Sequence, residues 1–149
     1  GSTRHVIVFG HKLPRKPTGM SFELVQVDWR RLDPHKLADP VSYIGQRVLV
    51  SVDNVNFVPM NAAQDRDTHQ ITFTVSNDSL FSFWEGDFNV VYKNGPQIVG
   101  FAPLTIDQFR AGRSYDIELS SFADRFNFDN VELEPLINVF DETLYMPLR

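Results

Sequence analysis

Residues 70–75 read QITFTV and residues 115–119 read YDIEL, and in both stretches apolar and polar side chains alternate one by one. Side chains of an extended chain point to opposite faces in turn, so this pattern makes a strand with one dry side and one wet side. Ile71, Phe73 and Val75 share the inward side against Gln70, Thr72 and Thr74; Tyr115, Ile117 and Leu119 share it against Asp116 and Glu118. Wound into a helix, the same residues would scatter their apolar groups around the axis. Residues 47–55, RVLVSVDNV, repeat the theme with Val48, Val50 and Val52 on one face. A dry face needs a second layer to cover it, which points to sheet packed on sheet.

The rest of the chain fits that reading. Residues 6–9 (VIVF) and 22–29 (FELVQVDW) are strand-like, and the KLPRKPTG stretch between them is a loop because of its two prolines and glycine. Residues 30–39 are polar and broken by Pro34, which leaves a loop or one short turn. Residues 80–119 run in the order strand, acidic loop, strand, turn, strand, helical turn, strand. Residues 80–84 are the first strand, with Phe81 opposite Leu80, Ser82 and Trp84, and Glu85-Gly86-Asp87 the loop. Asn94-Gly95, followed directly by Pro96, joins 88–93 to 97–101, since both residues tolerate the positive φ of a tight hairpin. Thr105 and Gln108 have the spacing of a capping box, with Phe109 pointing inward and Gly112 as a left-handed stop. Residues 130–148 add two or three strands broken by Pro135 and Asp141-Glu142. The expectation is an all-β antiparallel sandwich of about seven to nine strands, with turns roughly every 8–12 residues and one short helical turn. It forms a single domain over residues 3–149; Gly1 and Ser2 read as an expression remnant and are set aside.

The chain has 149 residues, of which 42% are hydrophobic, enough for a real core and too apolar for a disordered segment. Cysteine is absent, so disulfides and thiolate metal sites are excluded. No apolar run nears the roughly 18 residues of a membrane helix. No signal peptide is visible, and the expected location is cytoplasmic, at a membrane or within an assembly. The net charge of −5 is uneven. Residues 1–47 carry eight Lys/Arg against four acids, whereas residues 48–149 carry six against fifteen. An acidic chain is a poor general nucleic-acid binder.

The ordered features of residues 80–119 resemble a C2 domain. Residues 80–84 are similar to that family's strand before an acidic loop, and Glu85-Gly86-Asp87 stands where its paired acids would be. Ile98-Val99-Gly100 with Pro103-Leu104 is similar to the next strand, and Phe109, Gly112 and residues 115–119 complete the order. Ala38-Asp39-Pro40-Val41 is similar to the family's first loop. The resemblance implies a non-catalytic module that binds phospholipid head groups through calcium, or binds proteins and phosphoinositides without it. It nominates Asp33, Asp39, Glu85 and Asp87 as calcium ligands. The third acid that the pattern requires is missing from residues 88–93, and Lys93 brings a positive charge there. Calcium needs six to eight oxygens, so no metal site and no cofactor is expected.

The one basic concentration is Lys12, Arg15, Lys16, Arg30, Arg31 and Lys36. If these loops meet, they would attract an anionic bilayer, at about 1 kcal/mol per residue near the surface, or an acidic protein. Most of the aromatic cluster Phe81, Phe83, Trp84 and Phe88 is assigned to the core, while Phe122, Phe126 and Phe128 in a loop-like stretch are the candidate apolar contact. His5, His11, His35 and His69 are scattered and read as surface residues; none has the spacing of a zinc helix. G-x-S-x-G and a Gly-rich phosphate cradle are absent. The favoured reading is a non-enzymatic interaction module that binds a protein or an anionic phospholipid surface without calcium. The alternatives are a structural domain of a virion, tail or filament, for which residues 114–142 supply a charge of −7, and a carbohydrate-binding module with an aromatic platform.

Overall fold

The computed structural model of the chain describes residues 5–7, 18–19, 21, 23, 25–26, 33, 37–59, 69–121 and 128–147. Two antiparallel sheets of three strands each lie face to face. The first contains β1 (Val50–Pro59), β2 (His69–Asn77) and β5 (Ser114–Ser121) in the order β1-β2-β5. The second contains β3 (Phe83–Asn94), β4 (Gln97–Phe109) and β6 (Asn130–Pro135) in the order β4-β3-β6. A helix α1 (Pro40–Arg47) precedes β1, and a 3-10 turn at Glu142–Leu144 follows β6.

The alternating strands behave as their sequences require. Ile71, Phe73 and Val75 are at most 2% exposed. Val50, Val52, Tyr115, Ile117 and Leu119 flank them from β1 and β5, and Phe88, Val90, Tyr92, Leu104, Ile106 and Val131 close the core from the other sheet. Such burial is worth about 25 cal/mol per Å² of apolar surface, and it is what holds the layers together.

Sequence and structure part company at residues 85–87. There is no acidic loop: β3 runs unbroken from Phe83 to Asn94 and pairs with β4 through Glu85–Asp107, Gly86–Ile106 and Asp87–Thr105. The glycine that suggested a loop faces the core instead. A Cβ on Gly86 would lie 3.0 Å from the Phe109 Cγ and 3.0 Å from the Phe88 ring, so those two rings would have to give way to any side chain there. The helical turn after Thr105 is also absent. Thr105 stays extended, and its hydroxyl donates to Asp87 Oδ1 at 2.6 Å across the ladder. Phe109 is fully buried as expected. Gly112 does take a left-handed φ of 65°, within a tight turn in which the Arg113 N–H donates to the Arg110 carbonyl.

α1 forms at Pro40–Arg47, between the loop expected up to residue 41 and the strand expected from Arg47. The Asp39 carboxylate accepts from the amides of Val41 and Ser42, and Pro40 has the fixed φ that suits a first turn. Consequently β1 starts at Val50 rather than Arg47. The β3–β4 hairpin forms one residue later than expected, with Gly95-Pro96 as its centre and Asn94 paired with Gln97. Gly95 has φ 54°, and the proline ring holds φ negative at the next position, a combination that fits a type II′ turn. The C-terminal stretch supplies one strand, β6, together with an isolated bridge between Phe83 and Tyr145. Val6, Ile7, Glu23, Val25 and Gln26 belong to no strand, so the expected strands at 6–9 and 22–29 do not form at these residues; the rest of those stretches lies outside the described residues. Among the described residues six strands and one α-helix are present.

Candidate functional site

β3 is central in its sheet and is buried on both sides. Phe88, Val90 and Tyr92 face the core, yet Asn89 and Val91 on the outer face are only 5% and 4% exposed. Part of the cover comes from the N-terminal segment. The His5 amide donates to Glu134 Oε1 at 2.9 Å, and its Nδ1 lies 2.9 Å from Oε2 of the same carboxylate. Asn89 Nδ2 donates to the His5 carbonyl at 3.2 Å, and the His5 ring packs on Phe101 at 5.1 Å. Asn89 and Glu134 are ladder partners on β3 and β6, so one register position supplies both clamps. Burial opposes the charge on Glu134, but the bonds from His5 and Asn89 outweigh it and hold its carboxyl below the usual glutamate value.

Beside this clamp a groove of about 300 Å³ is lined by His5, Val91, Lys93, Ile98, Glu132 and Glu134, among others. Lys93 Nζ pairs with Glu132 Oε2 at 2.5 Å along its edge. Lys93 therefore answers a strand carboxylate.

At the far end of the same face both strands change phase together. On β3, Phe83 and Gly86 are buried while Trp84 and Glu85 between them are exposed; on β4, Ile106 and Phe109 are buried while Asp107 and Gln108 are exposed. Gln108 has φ 51°, unusual for a side-chain-bearing residue. Tyr115 holds it in place: its hydroxyl donates to the Gln108 carbonyl at 2.7 Å and accepts from the Arg110 amide at 2.6 Å. The shift turns Trp84 outward, 51% exposed, whereas Phe83 and Phe88 are buried. Trp84 is thus the departure from the expectation that most of this cluster is core. Leu136, 42% exposed, stands on the same face through its amide bond to the Asp87 carbonyl.

Two of the nominated calcium ligands, Asp39 and Asp87, make other bonds. Asp39 is a helix cap, with its carboxyl held below the usual aspartate value by the side-chain bond from Ser42 first and by backbone amides. Asp87 accepts from Thr105, and Glu85 stands on the exposed face of β3. The Asp33 backbone carbonyl accepts from the Leu37 amide. Among the described residues no three His, Cys, Asp or Glu side chains group as metal ligands would. Phe128 is not an exposed contact: it is half-buried against Tyr92 at 5.4 Å and Phe57 at 5.8 Å, a lid on the core. Phe122 and Phe126, like Lys12, Arg15, Lys16, Arg30, Arg31 and Lys36, lie outside the described residues. Among the described residues no helix is long and apolar enough to cross a membrane.

His5 and Glu134 went unnoticed in the sequence because 129 positions separate them, and no local pattern can pair them. Trp84 had a local signal of a kind, since Glu85-Gly86 beside it breaks the apolar alternation. No family model, curated protein or solved structure matches the chain.

Proposed function

We propose that this chain is a non-catalytic, C2-like interaction module that grips a protein partner with the outer face of its β4-β3-β6 sheet, without calcium. The observation that carries the reading is Trp84, half exposed on β3 where the burial patterns of β3 and β4 change phase together. Tryptophan is enriched among the few residues that dominate binding energy. Leu136 adds apolar area, and Glu85, Asp107 and Glu132 give the surroundings a negative charge. The occupied carboxylates of Asp39 and Asp87 favour independence from calcium. The C2-like part of the reading rests on the motif order of residues 80–119 alone, of which the acidic loop and the helical turn do not form. The basic residues of the N-terminal part would add attraction to an acidic protein or an anionic bilayer.

The test is affinity capture with the wild type and Trp84→Ala in parallel, followed by reconstitution of the complex from purified components. A partner that binds the wild type at least tenfold more tightly supports the reading; equal binding by both removes the surface. Flotation with anionic vesicles, with calcium and with chelator, separates the lipid version. Binding that appears only with calcium contradicts the proposal.

A second reading, a structural domain within an assembly, is favoured by Val6 and Val25, 95% and 90% exposed on segments outside both sheets. Light scattering across a concentration series tests it, and a strict monomer at every concentration counts against it.

A further inference from the structure

The chain between β4 and β5 crosses from one sheet to the other through a single tight turn, residues 110–113, with an arginine at each end. The turn is fixed from below. Asn77 is 1% exposed, and its side chain donates to the carbonyls of Phe81 and Phe109. Its backbone receives the Gly112 amide at 2.8 Å and donates to the Arg113 carbonyl at 2.9 Å. The turn is fixed from the side by the Tyr115 hydroxyl on the Arg110 amide. Even the Arg110 side chain is steered: its Nη2 donates to Gln108 Oε1 at 2.5 Å, and Gln108 is the residue that holds a positive φ. A backbone outlier held by so many bonds is the kind of local strain that clusters at binding sites.

Arg110, Arg113, Ser114 and Tyr115, with Asp107 and Gln108, line an open groove of about 360 Å³. Residues 48–149 are strongly acidic, and the described part of them contains just these two arginines. Neither is paired with a carboxylate among the described residues, although Lys93 and His5 both are. A guanidinium carries five N–H donors, so Arg110 keeps most of its capacity after its bond to Gln108. Two guanidinium groups that line one groove, without acid partners, offer several N–H donors to an oxyanion. The Asp107 carboxylate in the same groove cancels only part of that charge, so the groove stays net positive and attracts a dianion more strongly than a monoanion.

We infer that the Arg110–Arg113 turn is a binding site for a phosphate-type dianion. This goes beyond the protein-binding face: the two adjoin at Asp107 and Gln108, but the anion site is argued from Arg110 and Arg113 and needs no contribution from Trp84.

The test is a nuclear magnetic resonance titration of the full chain with inorganic phosphate at constant ionic strength, with chloride and acetate as controls. Saturable shifts are expected at the side-chain Nε–H signals of Arg110 and Arg113 and at the amides of residues 110–114. Arg110→Lys and Arg113→Lys keep the charge but lose the guanidinium, and each is expected to weaken binding at least fivefold. Gln108→Ala releases Arg110 and is expected to weaken binding less. A phosphoserine peptide and its unmodified form identify the source: tighter binding than free phosphate indicates a protein-borne group, equal binding a free one. Shifts that grow linearly without saturating, equal affinity for acetate, or undiminished affinity in the double lysine variant would each overturn the inference.

Discussion

Gly86→Ala probes the largest difference between the sequence reading and the structure. If residues 85–87 were a solvated loop, one added methyl group would be harmless. In the structure the new Cβ meets Phe109 Cγ at 3.0 Å, Phe88 Cε2 at 3.0 Å and Phe109 Cβ at 3.1 Å. Two of these atoms sit at the root of the Phe109 side chain, which cannot swing aside, and the two rings already pack edge to face at 5.3 Å. The backbone φ at Gly86 suits any residue, so the penalty is one of packing alone. Overfilling a tight core costs about 1–3 kcal/mol. The reduced freedom of the unfolded chain returns about 0.4–1 kcal/mol. The net destabilisation is about 1–2 kcal/mol, or roughly 2–8 °C in Tm for a chain near this length. Urea unfolding followed by circular dichroism measures it, and an unchanged m-value shows that the fold is intact. Phe109→Ala removes the obstructing Cγ, so the double variant should lose less than the sum of the single losses. A Gly86→Ala protein as stable as the wild type would refute the reasoning.

Four further outcomes follow. Asn77→Ala leaves the buried carbonyls of Phe81 and Phe109 without that donor, and a loss of about 2–4 kcal/mol is expected in the same urea assay. Burial pushes the Tyr92 phenol up to about 12, so ultraviolet difference absorbance should show it titrating well after an ordinary tyrosine. The unfolded chain ionises first, so this contribution is intact below about pH 10 and is lost as pH rises to 12; two units correspond to about 3 kcal/mol. Glu134 runs the other way: its folded value is lowered, so its contribution is present above the ordinary glutamate value, about 4.3, and is lost on further acidification. Glu134→Gln should flatten that acid limb of stability against pH. Asp39→Ala removes the cap of α1, and faster amide exchange at Val41 and Ser42 with little change in the core would confirm the role of that carboxylate.

The alternating strands were legible because a period of two has one reading: Ile71, Phe73 and Val75 could face only one way. Residues 85–87 were not legible. Glycine between two acids is ordinary loop chemistry, and only the distant rings of Phe109 and Phe88 make it a strand requirement. Thr105 and Gln108 have the spacing of a capping box, but the Asp87 carboxylate gives Thr105 a partner across the ladder that no local window contains. The cap of α1 was visible in Asp39-Pro40, yet eight residues with no fully buried side chain carry too little periodicity to announce a helix. Arg47 over the Tyr43 ring at 3.4 Å, and Tyr43 stacked on Phe140 at 5.4 Å, tie that helix to the C-terminal stretch. His5 read as a surface histidine because its partners, Glu134 and Asn89, arrive only with the sheet. The candidate face around Trp84 was hidden for the same reason, since it exists only where two strands change phase side by side.

The most direct test of the account is native-state amide hydrogen exchange across β3. Residues 85–92 should exchange as one slow unit, at rates close to those of residues 71–75 in the facing sheet, because a single continuous ladder protects them. Fast exchange confined to residues 85–87, as in a solvated acidic loop, would contradict the unbroken strand and the outward-facing Trp84 that depends on it.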